Sequence, residues 1–155
     1  MSESKSKQTR LDICRKFVAS VRHSKELSLE VRSATEDTVH VYMPYRECLV
    51  GNPDNKIIHG GAIFAMMDQA GGLAGACAIY PDFEITPTID MRVDHLRAPA
   101  VGEGLICKAE CYRLSQSVVF VRMDVYAEND TDTLISTGMA TYMRMKIPTA
   151  NRIVK

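Results

Sequence analysis

Residues 59–80 read HGGAIFAMMDQAGGLAGACAIY, 22 positions in which Asp68 is the only charged side chain. Length and composition predict one long helix, apolar on nearly every side, and such a helix has to be wrapped by the rest of the chain. Ionised carboxylates avoid apolar surroundings unless something compensates them. Burial disfavours their charged form, which suits such a group to work as a general base or nucleophile. The helix opens with His59-Gly60-Gly61, where free backbone N–H groups and the positive end of the dipole would meet a developing oxyanion. A carboxylate and an oxyanion site together suit acyl transfer. Two plainer readings compete: Asp68 as a structural group bonded to a neighbouring backbone, and the run as a membrane span. The mid-span acid and the strand-like remainder of the chain count against the span.

At 3.6 residues per turn, Gly61, Phe64, Ala65, Gly71, Gly72, Gly75 and Ile79 share the Asp68 face, while Ile63, Met66, Ala70, Leu73 and Cys77 lie opposite as core anchors. The small residues would let a ligand or another backbone approach Asp68, or would serve only tight packing on a sheet. His59 and Asp68 differ by a rise of about 13.5 Å and a rotation of about 180°. One helix therefore cannot bring both to one site. If both serve one site, two chains supply them, and a symmetric dimer holds that site twice.

The 155 residues suffice for one domain with a proper core. Nineteen basic and nineteen acidic residues cancel, with no basic stripe for nucleic acid and no polybasic segment for a membrane surface. The N-terminus, MSESKSKQTR, lacks the apolar core of a secretion signal. Cys14, Cys48, Cys77, Cys107 and Cys111 are odd in number and include no CxxC pair, which predicts reduced thiols and a cytoplasmic protein. His23, His40, His59 and His95 show no ligand spacing, so no metal is expected, and the proposed chemistry calls for no cofactor.

Residues 1–8 are expected to be disordered, 9–147 to form a single domain, and 148–155 to be a tail. Thr9 and Asp12 resemble a capping box ahead of Leu11, Cys14, Phe17, Val18 and Val21 at helical spacing. Alternation in Leu27-Leu29-Val31 and Val39-Val41-Met43 predicts a hairpin, and 45–58 reads as a loop. After the long helix, stopped by Pro81-Asp82, strands are predicted at 85–96, 105–113, 118–127 and 134–145. Ser136, Gly138 and Ala140 give the last one a small-residue face on which a helix could sit. Helix, two strands, long helix, four strands is an α+β order with an antiparallel sheet curled round the central helix, the description of a hotdog fold.

With His59-Gly60-Gly61, Asp68 nine residues after the histidine, and TPTIDMRVDHLRAPAVGEGL at 86–105, the chain resembles the hotdog-fold acyl-CoA thioesterases of the PaaI type over about residues 25–147. The resemblance implies that Asp68 acts as base or nucleophile on the thioester and that the Gly60 N–H polarises its carbonyl. It further implies that His59 orients the turn or touches the thioester, and that Thr88 holds the attacking water. It implies sites shared across a homodimer, doubled into a dimer of dimers. The family's Asn or Gln six residues before the histidine is Pro53 here, with Asn52 and Asn55 as possible replacements. A basic residue common before the penultimate strand is replaced by Gln116, leaving Arg113, Ser115 and Ser117 as candidates for phosphate contacts; Gly61 completes the substrate-binding set. For Arg113, as for Arg92 and Arg97, the plain alternative is a solvated strand charge; for Thr88 it is that β-branched residues suit strands.

The function implied is hydrolysis of an acyl-CoA thioester. The thiolate is a good leaving group, so a carboxylate, a positioned water and one or two N–H donors suffice. The rival of another class is a non-catalytic acyl-CoA sensing domain. A hotdog dehydratase is a further rival, although neither the loop before His59 nor the spacing resembles its pattern.

Overall fold

The computed structural model describes residues 2–82 and 84–146, with side chains from Thr9 onward. Two helices open the chain, α1 (Ser2–Ser20) and α2 (Arg22–Glu26), followed by strands β1 (Glu30–Ala34) and β2 (Thr38–Met43). A short hairpin, β3 (Val50–Asn52) and β4 (Ile57–Ile58), leads into the long helix α3 (Gly60–Ile79). Then come β5 (Glu84–Ile85), β6 (Thr88–His95), β7 (Leu105–Leu114), β8 (Val118–Ala127), β9 (Asp130–Met143) and β10 (Met145–Lys146). Six strands form one antiparallel sheet in the order β1-β2-β7-β8-β9-β6, with α3 packed mainly on β7, β2 and β8. This is the expected hotdog arrangement.

Alternation in the strands carries the core. Val39, Val41 and Met43 of β2, Leu105, Cys107 and Ala109 of β7, and Val119, Val121, Met123 and Val125 of β8 are all fully buried. They meet Ile63, Met66, Met67, Ala70, Leu73 and Cys77 of α3 in one cluster. The helix is long and apolar enough to cross a membrane, but more than half of it is buried against the sheet, so here it is a core helix. The small-residue face of β9 receives it as expected: a side chain at Gly138 would press on the Met67 methyl, 3.0 Å away, and on the Arg92 carbonyl, 2.7 Å away.

Several expectations need correction. Helix α1 runs from Ser2, so Thr9 and Asp12 lie inside it rather than at its cap. The tail from 148 lies outside the described residues. Leu27 caps α2, a helix of one turn, too short to show a period, and Ser28 turns the chain at a φ of 54°. Strand β1 therefore starts only at Glu30. The expected 85–96 strand breaks at Thr86-Pro87, where proline has no N–H for a ladder; Glu84–Ile85 pairs instead with Met145–Lys146. There the Arg144 guanidinium forks onto buried Glu84 at 2.9 Å and holds its carboxyl below the usual range against the opposing effect of burial.

The contact between α3 and the sheet is closest at two glycines. A Cβ at Gly71 would overlap the hydroxyl of buried Tyr142, and one at Gly75 would lie 2.9 Å from Val119 Cγ1. Gly71→Ala should therefore cost ~1–3 kcal/mol, the usual penalty for overpacking, although alanine is the better helix former. Urea unfolding measures it; a variant as stable as the parent would show that the contact yields freely.

Candidate active site

Two groups of candidate functional residues lie along strand β6, one at each end. At its start, the Thr88 hydroxyl donates to Asp68 Oδ1 at 2.6 Å, a short bond of the charge-assisted kind. The Tyr142 phenol lies close to the same carboxylate. Tyr142 donates to the Asp68 backbone carbonyl at 3.1 Å, and burial together with the nearby carboxylate keeps its phenol protonated. The Asp68 face is split: Gly71, Gly75 and Ile79 are buried on the sheet, while Phe64 and Gly61 are exposed and Gly72 faces the Thr86 hydroxyl. Asp68 itself is half-buried, not enclosed as its apolar neighbours suggested, because that side of α3 faces a gap bordered by α1 and the start of β6 at the edge of the sheet.

That gap is a cavity of about 280 Å³ with Asp68 and Thr88 on its wall. Phe17 of α1, Val21 just after it and Leu73 of α3 make it largely apolar. Cys14 lines it too, with its sulfur 3.5 Å from that of buried Cys77. All five cysteines are free thiols.

At the far end of β6 stands the start of α3. His59 is the N-cap: its Nδ1 accepts from the Gly61 N–H at 2.9 Å, so the neutral ring carries its proton on Nε2. Its own N–H donates to the Leu49 carbonyl at 2.8 Å, which ties the turn to the preceding loop. The Gly60 N–H has no partner among the described residues and points out of the helix start, where orphan donors and the dipole favour negative charge. A side chain at Gly61 would lie 2.9 Å from His59 Nδ1, so this glycine makes room for the cap.

The other candidates are spread out. Asn52 and Asn55 sit in the β3–β4 hairpin beside His59, but each Oδ1 is used locally, accepting from the N–H of Asp54 and Ile57 respectively. Ser115 closes the β7–β8 turn through hydrogen bonds with Val118, and the Ser117 carbonyl accepts from the Arg144 N–H. Arg113 lies over the Phe120 ring, 5.8 Å from its centroid. This turn adjoins the Glu84–Arg144 pair, away from the His59 turn. Sequence reasoning missed Tyr142, Thr86, and the pair His95–Ser136, joined at 2.8 Å beside Gly60. All are contacts between strands and helix that no local spacing announces; only the small residues of α3 and β9 hinted at close neighbours.

Comparison with known proteins agrees with this fold. The Thioesterase superfamily pattern matches residues 55–134, a little over half of the chain. Over 139 residues the chain is 27% identical to the medium/long-chain acyl-CoA thioesterase YigI of Escherichia coli, covering 82% of this chain and 88% of that one. It is 34% identical over 116 residues to a protein of Halobacterium salinarum, covering 74% and 76%. A crystal structure of a Pseudomonas aeruginosa protein superposes with a TM-score of 0.78 at 34% identity, covering 88% and 99%. The Escherichia coli PaaI protein shares the fold, with a TM-score of 0.78 at 15% identity over 90% and 95%.

The cap can be tested on the folded protein alone. His59→Ala should lower stability by about 1 kcal/mol, the usual value of an N-cap, while His59→Asn, which can accept from the same N–H, should recover most of it. Equal urea midpoints for all three proteins would mean that the ring does not cap α3.

Proposed function

Since the chain belongs to the thioesterase superfamily, we propose that it hydrolyses acyl-CoA thioesters, with Asp68 as the catalytic carboxylate. The observation that carries this reading is the Thr88–Asp68 hydrogen bond of 2.6 Å on the wall of an apolar cavity. The hydroxyl orients one carboxylate oxygen and leaves the other to take a proton. In the direct route, Asp68 accepts a proton from water as the water oxygen bonds to the thioester carbon. The carbonyl oxygen, now negative, is held by a Gly60 N–H. As that oxyanion collapses, the C–S bond breaks and the CoA sulfur leaves, taking the proton back from Asp68.

Asp68 and Gly60 reach the same thioester only across two chains. Strand β6 is an edge of the sheet, with Asp68–Thr88 at one end and Gly60 at the other, and the rise of α3 alone sets Asp68 and Gly60 about 12 Å apart. Its outer backbone is unpaired among the described residues, and Ile89 and Leu96 are half exposed, the liability of an uncovered edge. Antiparallel pairing of β6 with its copy across a two-fold axis sets the Asp68 end of one chain against the Gly60 end of the other and builds two sites. The outer sheet face, with Tyr112 and Met139 exposed, is the surface proposed for joining two such dimers.

The cavity deals with the acyl chain. A methylene takes up about as much room as a water's share of the liquid, ~30 Å³, so this space accommodates a chain of medium length. The free thiols fit a reducing compartment, for which the cytoplasm is proposed.

A panel of acyl-CoAs from short to long, with free thiol as the readout, tests the reading. Release should be greatest for medium chains, and Asp68→Ala should reduce it by ~10²–10⁴ with the fold intact. Binding without release would favour a sensing domain, and an Asp68→Ala variant within about threefold of the parent, well inside that range, would remove Asp68 from the mechanism.

A further inference from the structure

His95 ends β6 opposite Ser136 of β9. Its Nδ1 lies 2.8 Å from Ser136 Oγ, and Ser136 is completely buried. That hydroxyl has no other hydrogen-bond partner among the described residues. Were the imidazole to donate to it, the serine O–H would be left buried and unpaired, which is unfavourable. The serine therefore donates to Nδ1, and the neutral ring carries its proton on Nε2.

Nε2 is aimed at the helix start. It lies 3.0 Å from the position a Gly60 Cβ would take, and a Cβ in the first turn points back towards the N-terminus of its helix. The unpartnered Gly60 N–H opens on the same side. The His95 ring is exposed, so it borders the space a ligand enters, whereas the Nδ1 of His59 is committed to the cap. Glycine at 60 is thereby explained, since any side chain there would displace the imidazole.

We propose that His95 is a second oxyanion donor, its Nε2–H binding the thioester oxygen together with the Gly60 N–H, with Ser136 as the positioning residue that fixes the tautomer. This rests on thioester hydrolysis at the site. A single backbone donor leaves one lone pair of the oxyanion to solvent; a second, preorganised N–H strengthens binding as the charge develops and adds little in the ground state.

The test uses the full-length protein and the acyl-CoA it cleaves best. His95→Phe keeps a planar ring without the donor, and His95→Gln returns an N–H near the Nε2 position. The expected result is a fall in kcat of ~10²–10³ for His95→Phe with KM held, and recovery of at least about tenfold of it by His95→Gln. A near-parental kcat for His95→Phe overturns the proposal, as does a loss shared by both variants or appearing mainly in KM, which marks a packing role. If His95→Phe does not fold, Ser136→Ala decides. A kcat lowered at least about threefold by mixed tautomers, with imidazole ¹⁵N shifts showing both, supports the proposal, and an unchanged kcat overturns it. A parent protein that releases no CoA from any acyl-CoA sinks the hydrolytic reading itself, and this proposal with it; an active parent with indifferent His95 variants sinks only the latter.

Discussion

Helix α3 meets the sheet so closely at Gly71 and Gly75 that no side chain fits between them and Tyr142 or Val119. This contact sets both the depth of the helix and its position along its axis. Tyr142 spans the junction, its ring buried under the helix and its hydroxyl on the Asp68 carbonyl. With α3 fixed there, Asp68 comes within hydrogen-bonding range of Thr88, and the first turn comes to rest beside His95. Close-packed interiors transmit small displacements, so a shift at Gly71 would reach both ends of the helix. The functional groups are held by packing that has no chemical role of its own.

Strand β6 then organises the chemistry. It carries Thr88 at one end and His95 at the other, and it lies at the edge of the sheet. A carboxylate at one end and N–H donors at the other are of little use to each other within one chain. An edge strand that pairs with its own copy reverses the ends and puts them together. The same exposed backbone that would invite unwanted pairing would thus account for the proposed dimer and its site.

Much of this could be read in the chain itself. The apolar run with one acid, the His-Gly-Gly opening, and the alternation of 118–127 led to the helix, its cap and the core strands. The 180° offset of His59 and Asp68 led to the proposal of a shared site, and Thr88 came through the resemblance to a known family as a candidate. What stayed hidden depends on distant partners. Helix α2 is one turn long, too short for a period. The role of Ser136 needs β6 alongside β9, and in the sequence His95 is only a histidine without ligand spacing. The half-exposure of Asp68 depends on how α1 lies over α3, whereas composition alone described a helix apolar throughout.

The central claim is that each site takes its carboxylate from one chain and its N–H donors from another. Gly60→Val would crowd the helix start and push His95 aside, and Asp68→Ala removes the base, so each variant alone should be inactive. Refolded together in equal amounts, half of the dimers are mixed, each with one site carrying both lesions and one carrying neither. Activity should return to about a quarter of the parental value under random pairing. No recovery in a mixture shown to contain mixed dimers, or an active monomer, would contradict the account.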